Sequence, residues 1–595
     1  MKSDTVSDSA SAPLLSDLGG SCTDVEANAS EKLSIDDMLS KYVGDFGRAQ
    51  LVHFVIVSLA WSLEGLHTFA TIFADRVPEW QCRPSVNLWS PSNSTLGASA
   101  GPLNMECSPS SSICSMDPSL WEWVGGKGVS IVSEWGLFCG DEYKVGLAQS
   151  AFFVGAFVGA GIFGHFSDSF AGRKGTLFLA CVCTALSGLA TASVHSYWVY
   201  VGIRWLTGAT CSGIGLSSFV LATEPIGPSK RGQVGMSAFY FFSFGIMTLP
   251  VFAYFSTSWR HLYFVTSIPA LLYCTLVVPT IWESPRWFLV QGRIKDAMEV
   301  LGAFAKRNGR NPIPEGAVLE IENEEASKSV ALESIDVSED YSPKASGTLL
   351  MVLRNPATRS RMLIMVVIWF LTAVVYYGIT LNVVNLGTNL YIGVFLNAII
   401  EWPAFVITAA VLDRFGRRSM LVSAMVLSGL CCLAGSVLYI EDGANTGSSD
   451  GLRDLFPNLT PVGSQSYRES VILWYSSLGA GIGVYKVLRI ICSTVGIFGM
   501  AGTYNLIYIY ASELFPTVVR NAALGLLTQA SGIGSIIAPV VVVSGRFNSA
   551  LPFATFGIMA ILGGVLSLGL PETLHKPMFE TLEGLERSEK GVMTN

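Results

Sequence analysis

Charged side chains inside apolar segments are the residues of this sequence best placed to do chemistry. Glu64, His67, Arg204 and Glu401 each lie within an apolar run long enough to cross a bilayer core, which takes about 20 residues. An ionisable group at bilayer depth is costly unless it faces a wet cavity or a partner. These four side chains are therefore candidates for binding a charged solute or transferring a proton.

Glu64 and His67 are three positions apart and would share one face of a helix. One interpretation is a Glu–His pair that anchors the outer end of that helix. The other is substrate binding or proton coupling, because an imidazole titrates near physiological pH. Both interpretations stay open at this point.

Glu401 precedes Trp402 and Pro403, and a proline can open a helix locally. A buried carboxylate is a natural counter-charge for an ammonium group, which favours a binding role for Glu401 over a structural pair. Arg204 is expected to meet a buried acid. With two acids against one deeply placed cation, the charge balance favours cationic or zwitterionic ligands.

Aromatic side chains accompany these charges, and an aromatic face attracts a cation by about 0.5–2 kcal/mol. Tyr504 and Tyr508 are four positions apart, on one face of a helix. A single ring in such a segment is more typical of packing, so the argument depends on the set. The candidates for lining a substrate cavity are Trp61, Tyr376, Tyr377, Tyr504, Asn505 and Tyr508.

The composition predicts a protein whose solvent is lipid. Half of the 595 residues are apolar and only 14% are charged, more apolar surface than a soluble chain could bury. The sequence has no basic arm of the kind that binds nucleic acid. The first 48 residues are polar and do not resemble a signal peptide. Because the sequence shows neither a phosphate-binding loop nor a catalytic constellation, we expect no enzyme activity, ATP-driven pumping, cofactor or metal.

Hydrophobic runs predict an all-α membrane protein with twelve spans. We interpret the apolar segment 471–486 as a re-entrant or interfacial lead-in to span 10. Lys and Arg, including those at 230–231 and 414–418, concentrate on one side, which predicts that both termini are cytoplasmic. The predicted spans are 49–73, 145–166, 175–193, 197–219, 234–255, 262–281, 362–380, 389–412, 419–440, 489–510, 521–543 and 552–570.

A charged signature occurs at corresponding points of both halves, each time between two spans. Each copy has a carboxylate, a glycine turn and two cations, a set that can lock neighbouring helices on the cytoplasmic face. The duplication implies two homologous six-helix bundles that rock against each other. The candidate gate residues in the two copies are Asp168, Arg173 and Lys174, and Asp413, Arg417 and Arg418.

These spans divide the chain into five parts. They are a cytoplasmic tail (1–48), an N-terminal bundle (49–281) with an external loop (74–144), a cytoplasmic central loop (282–361), a C-terminal bundle (362–571) and a cytoplasmic tail (572–595). The sequons at Asn93 and Asn458 fall in external loops and are candidates for glycosylation.

The motifs resemble the major facilitator superfamily, and within it the plant-type branch of the organic cation/carnitine transporters. Sugar porters share two of these motifs, Glu283-Ser284-Pro285-Arg286-Trp287 and Pro571-Glu572-Thr573. The cysteine-bearing loop between spans 1 and 2 is the feature that favours the organic cation/carnitine transporters within the superfamily. The resemblance implies the major facilitator fold. It also implies roles by residue: cavity for Phe157 and Glu401, helix packing or coupling for Arg204, and gate for Glu224, Arg231, Glu513 and Arg520.

Three positions depart from the family pattern. Asp168 and Gly172 are separated by three residues where the pattern has two, and Ala409 replaces a glycine in the second copy. Gly532 in span 11 stands where animal cation transporters have an aspartate and anion or carnitine relatives an arginine. The local charge that would indicate the sign of the substrate is therefore missing.

The resemblance implies a secondary transporter that moves organic cations or zwitterions, such as carnitine, choline-like compounds or polyamines, by alternating access. Glu64, His67 and Arg204 are the candidates for coupling to protons. Alternatives are a proton-linked sugar porter, disfavoured because span 7 lacks paired glutamines, an organic-anion porter, and a non-transporting receptor. We expect a monomer in the plasma membrane, with the vacuolar membrane as the alternative.

The external loop yields the first testable prediction. Cys82, Cys107, Cys114 and Cys139 should be oxidised in pairs, because a long polar loop in an oxidising compartment needs cross-links, and three pairings are possible. Mass spectrometry after differential alkylation checks this. Four free thiols in correctly inserted protein would contradict it.

Overall fold

The computed structural model describes residues 31–83, 113–314, 317–319, 349–354, 356–455, 465–574, 576 and 585. Twelve of its helices are long and apolar enough to cross a membrane, which confirms the prediction of twelve spans. They are Arg48–Ala74, Tyr143–Asp168, Gly172–Ala192, Tyr197–Thr223, Pro228–Tyr254, Trp259–Thr280, Thr358–Asn385, Leu390–Phe415, Arg417–Tyr439, Tyr485–Leu514, Ala522–Ser544 and Ala550–Ser567, and are called spans 1 to 12.

The spans form two bundles, spans 1–6 and spans 7–12. Within the first bundle span 4 packs along spans 1, 2 and 3, and within the second span 7 packs along spans 10, 11 and 12. The bundles meet where span 2 packs on span 11 and where span 5 packs on span 8. A cleft between the bundles is thus bordered by spans 1, 5, 7, 8 and 10.

Small residues set the closest helix contacts. A Cβ atom at Gly155, Gly159 or Gly208 would overlap the backbone of the facing helix where spans 2 and 4 cross. Such residues let two helices approach in lipid, where no hydrophobic effect drives them together and close packing must do so. The glycine-rich composition of these spans is therefore a packing feature.

The segment 471–486 belongs to one continuous helix, Gln465–Leu514, which includes span 10. The interpretation of this segment as re-entrant is therefore wrong, because a re-entrant loop requires the chain to reverse direction before the span.

Short elements connect the spans on both sides. In the segment between spans 1 and 2, strand Trp80–Cys82 pairs antiparallel with strand Trp121–Trp123, and Cys114 forms a disulfide with Cys139. Cys82 is also disulfide-bonded. Cys107, Asn93 and Asn458 lie outside the described residues.

At the opposite end, helices Ile35–Met38, Pro285–Val290 and Ile294–Arg307 and a parallel pair of strands, Glu31–Leu33 with Ala317–Leu319, surround an apolar core. Fully buried Phe304 lies in this core, so helix Ile294–Arg307 buries the apolar side of its amphipathic pattern.

Each bundle begins its third helix in the same way. The Glu283 carboxylate accepts from the backbone N–H groups of Arg173 (3.1 Å) and Lys174 (3.0 Å), at the start of span 3. The Glu572 carboxylate accepts from those of Arg417 (2.8 Å) and Arg418 (3.0 Å), at the start of span 9. A carboxylate here satisfies N–H groups that have no partner within the helix and complements the helix dipole.

The cap at span 9 gives the second prediction. Partial burial raises the pKa of Glu572, but four backbone N–H donors outweigh it and hold that pKa below its usual value. Glu572→Gln should destabilise the protein by about 1 kcal/mol, as loss of a helix cap does. Because the folded-state pKa is depressed, this stabilisation is full above the ordinary carboxyl pKa and is lost as the pH falls through the folded-state value.

Thermal unfolding of detergent-purified protein at neutral and acidic pH measures this effect. Glu299→Gln removes an exposed carboxylate from helix Ile294–Arg307 and serves as the matched control. The capping role would be contradicted if the two variants lost equal stability. It would also be contradicted if the stability lost in Glu572→Gln did not diminish at acidic pH.

Candidate functional site

A cavity of about 180 Å³ lies between the two bundles at the level of Glu64. Its wall is almost entirely aromatic, with one carboxylate and one carboxamide. The lining residues are Trp61, Glu64, Phe239, Phe242, Tyr376, Tyr377, Phe405, Ala501, Tyr504, Asn505 and Tyr508.

The aromatic rings of this cavity hold one another in place. Trp61 of span 1 meets Phe239 of span 5 edge to face, with ring centroids 5.2 Å apart. Tyr376 and Tyr504 lie 5.2 Å apart across spans 7 and 10, and the Tyr504 hydroxyl is 2.9 Å from that of Ser531. Phe239 also lies 5.9 Å from Tyr508, so rings from both bundles form a single wall.

Glu64 is the only carboxylate among the described residues that line this cavity. Its side chain lies against Gly215 of span 4, where a Cβ atom would overlap the carboxylate. Its Oε2 atom is buried and has no hydrogen-bond partner among the described residues. Oε2 therefore has no partner within the described structure while the Glu64 side chain lines the cavity, which makes this carboxylate a candidate for contacting a bound solute.

Glu401 lies behind the wall of the cavity and is 1% exposed. It accepts a hydrogen bond from the Tyr376 hydroxyl at 2.9 Å and another from the Ser243 hydroxyl. Tyr376 lines the cavity, whereas Glu401 does not. Because Ser243 belongs to span 5 and the other two residues to spans 7 and 8, these bonds also join the two bundles.

His67 and Glu64 do not pair in the part of the chain that the structure describes, where both ring nitrogens of His67 lack a partner. The ring instead points toward Gly188 of span 3. The Arg204 Nη2 atom donates to the His67 carbonyl (3.3 Å), and the guanidinium lies 4.5 Å from the centre of the Phe152 ring. These contacts of Arg204 lie within the first bundle, and Arg204 is outside the described lining of the cavity.

Sequence reasoning missed an acid at the C-terminal end of span 1. The Asp75 carboxylate is buried, accepts from Gln149 Nε2 (2.9 Å) and contacts the Tyr200 hydroxyl (3.4 Å). Asp75 lies near enough to Arg204 for the two charges to interact. It is therefore a candidate for the buried acid that Arg204 was expected to meet.

The two bundles also meet at this end of the molecule. Arg546, after span 11, donates to the backbone carbonyl of Asp75 at 3.1 Å, and Arg76 Nη1 donates to the Tyr391 hydroxyl at 3.4 Å. Asp75 follows the uncharged residues 68–74, so its position next to the last residue of the span was the one available signal.

All the gate candidates of the first bundle except Arg231 form one cluster at the opposite end of the bundle. Arg173 Nη2 lies 3.1 Å from Asp168 and 3.3 Å from Glu224. Lys174 Nζ lies 3.5 Å from the Pro279 carbonyl. The cluster therefore connects spans 2, 3 and 4.

Arg231 lies elsewhere. Its Nη2 atom is 2.6 Å from Asp36 of helix Ile35–Met38, and Arg286 binds the same carboxylate. Arg231 thus ties the segment before span 1 to the start of span 5.

The second bundle repeats the cluster with equivalent residues. Arg417 lies 3.2 Å from Asp413 and 2.9 Å from Glu513, and the hydroxyl of Thr573 donates to Glu513 at 2.7 Å. The backbone N–H of Arg418 donates to Glu572, while Arg520 lies in the first turn of helix Thr517–Ser544, just before span 11. These pairs hold spans 8, 9 and 10 together.

Most of the predicted cavity residues come together, with two exceptions. Phe157 packs against Gly532 where spans 2 and 11 meet, outside the described lining of the cavity, and Glu401 lies behind Tyr376. Four lining residues were missed: Phe239, Phe242, Phe405 and Ala501. The run of aromatic residues at 239–242 was a signal for two of them.

Comparisons with known proteins agree with this architecture. The family described as "Sugar (and other) transporter" matches residues 106–451. An inward-open structure of the xylose transporter XylE from E. coli has the same fold, with a TM-score of 0.55 at 16% identity over 90% of this chain and 99% of that one. The fold is that of a major facilitator transporter.

Relatives with similar sequences indicate the family within the major facilitator superfamily. Organic cation/carnitine transporter 4 of Arabidopsis thaliana is 45% identical over 568 residues, 95% of this chain and 93% of the relative. Organic cation/carnitine transporter 3 of the same plant is 33% identical over 96% of each chain. The chain belongs to the organic cation/carnitine transporter family of the major facilitator superfamily, whose members are transporters and not enzymes.

The repeated charge clusters give the third prediction. Asp413→Asn should slow transport with little change in ligand binding, because the Asp413 side chain is 80% exposed and pairs with Arg417 away from the cavity. Initial uptake rates and equilibrium binding on the same preparation separate the two effects. Asp141→Asn, which removes the partner of Lys144 at the other end, is the control. Loss of binding in a folded Asp413→Asn protein would show that Asp413 is not a gate residue.

Proposed function

We propose that this secondary transporter carries small organic cations or zwitterions, such as carnitine, choline-like compounds or polyamines, through the cavity around Glu64 by alternating access. The support comes from the chemistry of the cavity and from relatives that are named for organic cations and carnitine.

The single observation that carries this proposal is the make-up of the cavity wall. Eight aromatic rings and one carboxylate surround the space, and no cationic side chain is among its described lining residues. Aromatic faces and a carboxylate both attract an ammonium group, while both repel an anion. A sugar would instead need many hydrogen-bonding groups, and apart from Glu64 this wall offers only tyrosine hydroxyls, the Trp61 N–H and Asn505.

Glu64 is the counter-charge in this proposal, and Glu401 is a positioning residue. Glu401 already accepts hydrogen bonds from Tyr376 and Ser243, so its charge is stabilised without a substrate. It therefore fixes the Tyr376 ring in the cavity wall. Glu64 Oε2, by contrast, lacks a protein partner among the described residues, and a substrate ammonium can supply one.

Alternating access would open and close the two ends of this cavity in turn. We assign the end with Asp75 and Arg546 to the outside and the end with the duplicated charge clusters to the cytoplasm, following the distribution of Lys and Arg. Both termini are then cytoplasmic. In this proposal the protein acts as a monomer in the plasma membrane, with protons as the coupling ion and Glu64, His67 and Arg204 as the coupling residues.

Glu64→Gln is the fourth prediction and tests the sign of the substrate. A charge-assisted contact is worth about 1.5–3 kcal/mol, so the apparent Kd for a quaternary ammonium ligand should rise about 10- to 150-fold. The affinity of the same variant for an uncharged analogue of the same shape should change little. Equilibrium binding to purified protein measures both, and uptake at several pH values should lose its pH dependence if Glu64 carries the proton.

Glu401→Gln is the matched control, because it neutralises the other carboxylate near the cavity. Its effect should be smaller and similar for charged and neutral ligands, since it acts through Tyr376. A tenfold loss that is specific for cations in Glu401→Gln, with Glu64→Gln unaffected, would reverse the two roles. If a sugar or an organic anion competed best in proteoliposome uptake, the cation proposal would be wrong.

A further inference from the structure

A second cavity, of about 320 Å³, lies at the other end of span 1 from Asp75. It is formed by the start of span 1, the residues that follow span 6 and the end of helix Ile294–Arg307. Neither the central cavity nor the two charge clusters includes its residues. The side chains that define it are Arg48, Val52, His53, Ile56, Trp282 and Arg307.

Two guanidinium groups line one part of this cavity. Arg48 is the first residue of span 1, and the Arg307 guanidinium lies 4.1 Å from the centre of the Trp282 ring. Trp282 is in turn packed edge to face on Phe304, with centroids 4.7 Å apart. Arg307 is thus held over a fixed ring, and no acidic residue is among the described residues that line this cavity.

The neighbouring residue Asn308 holds the two cations near each other. Its Oδ1 atom accepts from the backbone N–H of Ala49 (2.8 Å), and its Nδ2 atom donates to Gln50 Oε1 (2.7 Å). The end of helix Ile294–Arg307 is therefore tied to the first turn of span 1. Both arginines are exposed, and neither forms an ion pair with another residue in the part of the chain that the structure describes.

The remaining wall is apolar and continuous with the surface that faces lipid. Val52 lines the cavity and is 46% exposed, and Leu51, Val55 and Leu59 of the same helix are also exposed. In a membrane-spanning helix such exposed apolar side chains contact acyl chains. The cavity therefore offers two cations at the level of the headgroups and an apolar wall that leads into the bilayer.

We propose that this cavity binds the headgroup of an anionic phospholipid, with Arg48 and Arg307 holding the phosphate and Val52 and Ile56 contacting the first acyl carbons. Arginine suits this role because its planar fork of N–H groups matches phosphate oxygens. A soluble phosphate could use the two cations but would gain nothing from the apolar wall. A bound lipid would connect the start of span 1, which carries Glu64, to helix Ile294–Arg307.

Titration of phosphatidylglycerol onto the purified full-length chain in neutral detergent, followed by native mass spectrometry, tests this fifth prediction. Replacing Arg48 and Arg307 together by Gln should weaken binding about thirtyfold, equivalent to about 2 kcal/mol at 1.4 kcal/mol per tenfold. Replacing both by Lys should preserve most of the affinity. Should the double Gln variant fail to fold, the single change Arg307→Gln, at an exposed position, should still weaken binding about fivefold.

The matched control removes two exposed cations outside the cavity, through Lys295→Gln and Arg359→Gln together. Arg359 lies in the first turn of span 7, as Arg48 does in span 1, and each double variant removes two positive charges. The affinity of this control variant for phosphatidylglycerol should fall less than threefold. An equal loss in both would overturn the proposal, since binding would then follow surface charge alone.

Two further binding experiments identify the chemical class of the ligand. Phosphatidylcholine should bind far more weakly than phosphatidylglycerol, and inorganic phosphate should not displace the bound lipid. Equal binding of phosphatidylcholine, or displacement by inorganic phosphate alone, would overturn the assignment to an anionic lipid.

Discussion

In a bilayer a charged side chain must find a partner in the protein or face water, and the placement of buried charge in this transporter follows from that constraint. Glu401 satisfies it with two hydroxyl donors, and Asp75 does so with Gln149 and Tyr200. Glu64 does not satisfy it for Oε2 within the described structure, and it lines the cavity. Of these three acids, Glu64 is thus the one that combines a carboxylate oxygen without a described partner with a place in the cavity lining.

The same constraint explains why the ends of the spans carry so much polar structure. A helix that ends at the membrane surface leaves backbone N–H groups without partners, and the two bundles solve this in the same way, with a carboxylate from beyond the sixth or twelfth span. The equivalence of Glu283 and Glu572 extends to Glu224 and Glu513, which bind Arg173 and Arg417. Each bundle is therefore cross-linked by its own set of contacts between carboxylates and arginines.

Contacts between the bundles are of a different kind. Ser243 and Tyr376 reach Glu401 from opposite bundles, and Arg546 reaches backbone carbonyls of the first bundle. These are a few hydrogen bonds superimposed on aromatic and small-residue packing. In the alternating-access cycle that we propose, contacts between the bundles must break and form again, and weak links suit such an interface better than buried ion pairs do.

The sequence by itself determined the number of spans, the duplication of the charge signature and most of the aromatic cavity, because each depends on local pattern. An apolar run of sufficient length has to form a helix in lipid, and Tyr504 and Tyr508 four residues apart share a face of any helix. The identity of the charged motifs likewise predicted which residues form the clusters at the ends of spans 2 and 8. The family followed from the same residues.

Only the tertiary structure decided which buried acid faces the cavity. Glu64 and Glu401 look alike in sequence, since each interrupts an apolar run beside a tryptophan or within reach of one. Their difference arises from residues far away in the chain: Ser243 and Tyr376 satisfy Glu401, while Gly215 leaves space beside Glu64. The pairing of Arg231 with Asp36, and the contact of Phe157 with Gly532, also depend on helices brought together by the fold. Periodicity along one helix specifies a face, but it carries no information about what the facing helix presents.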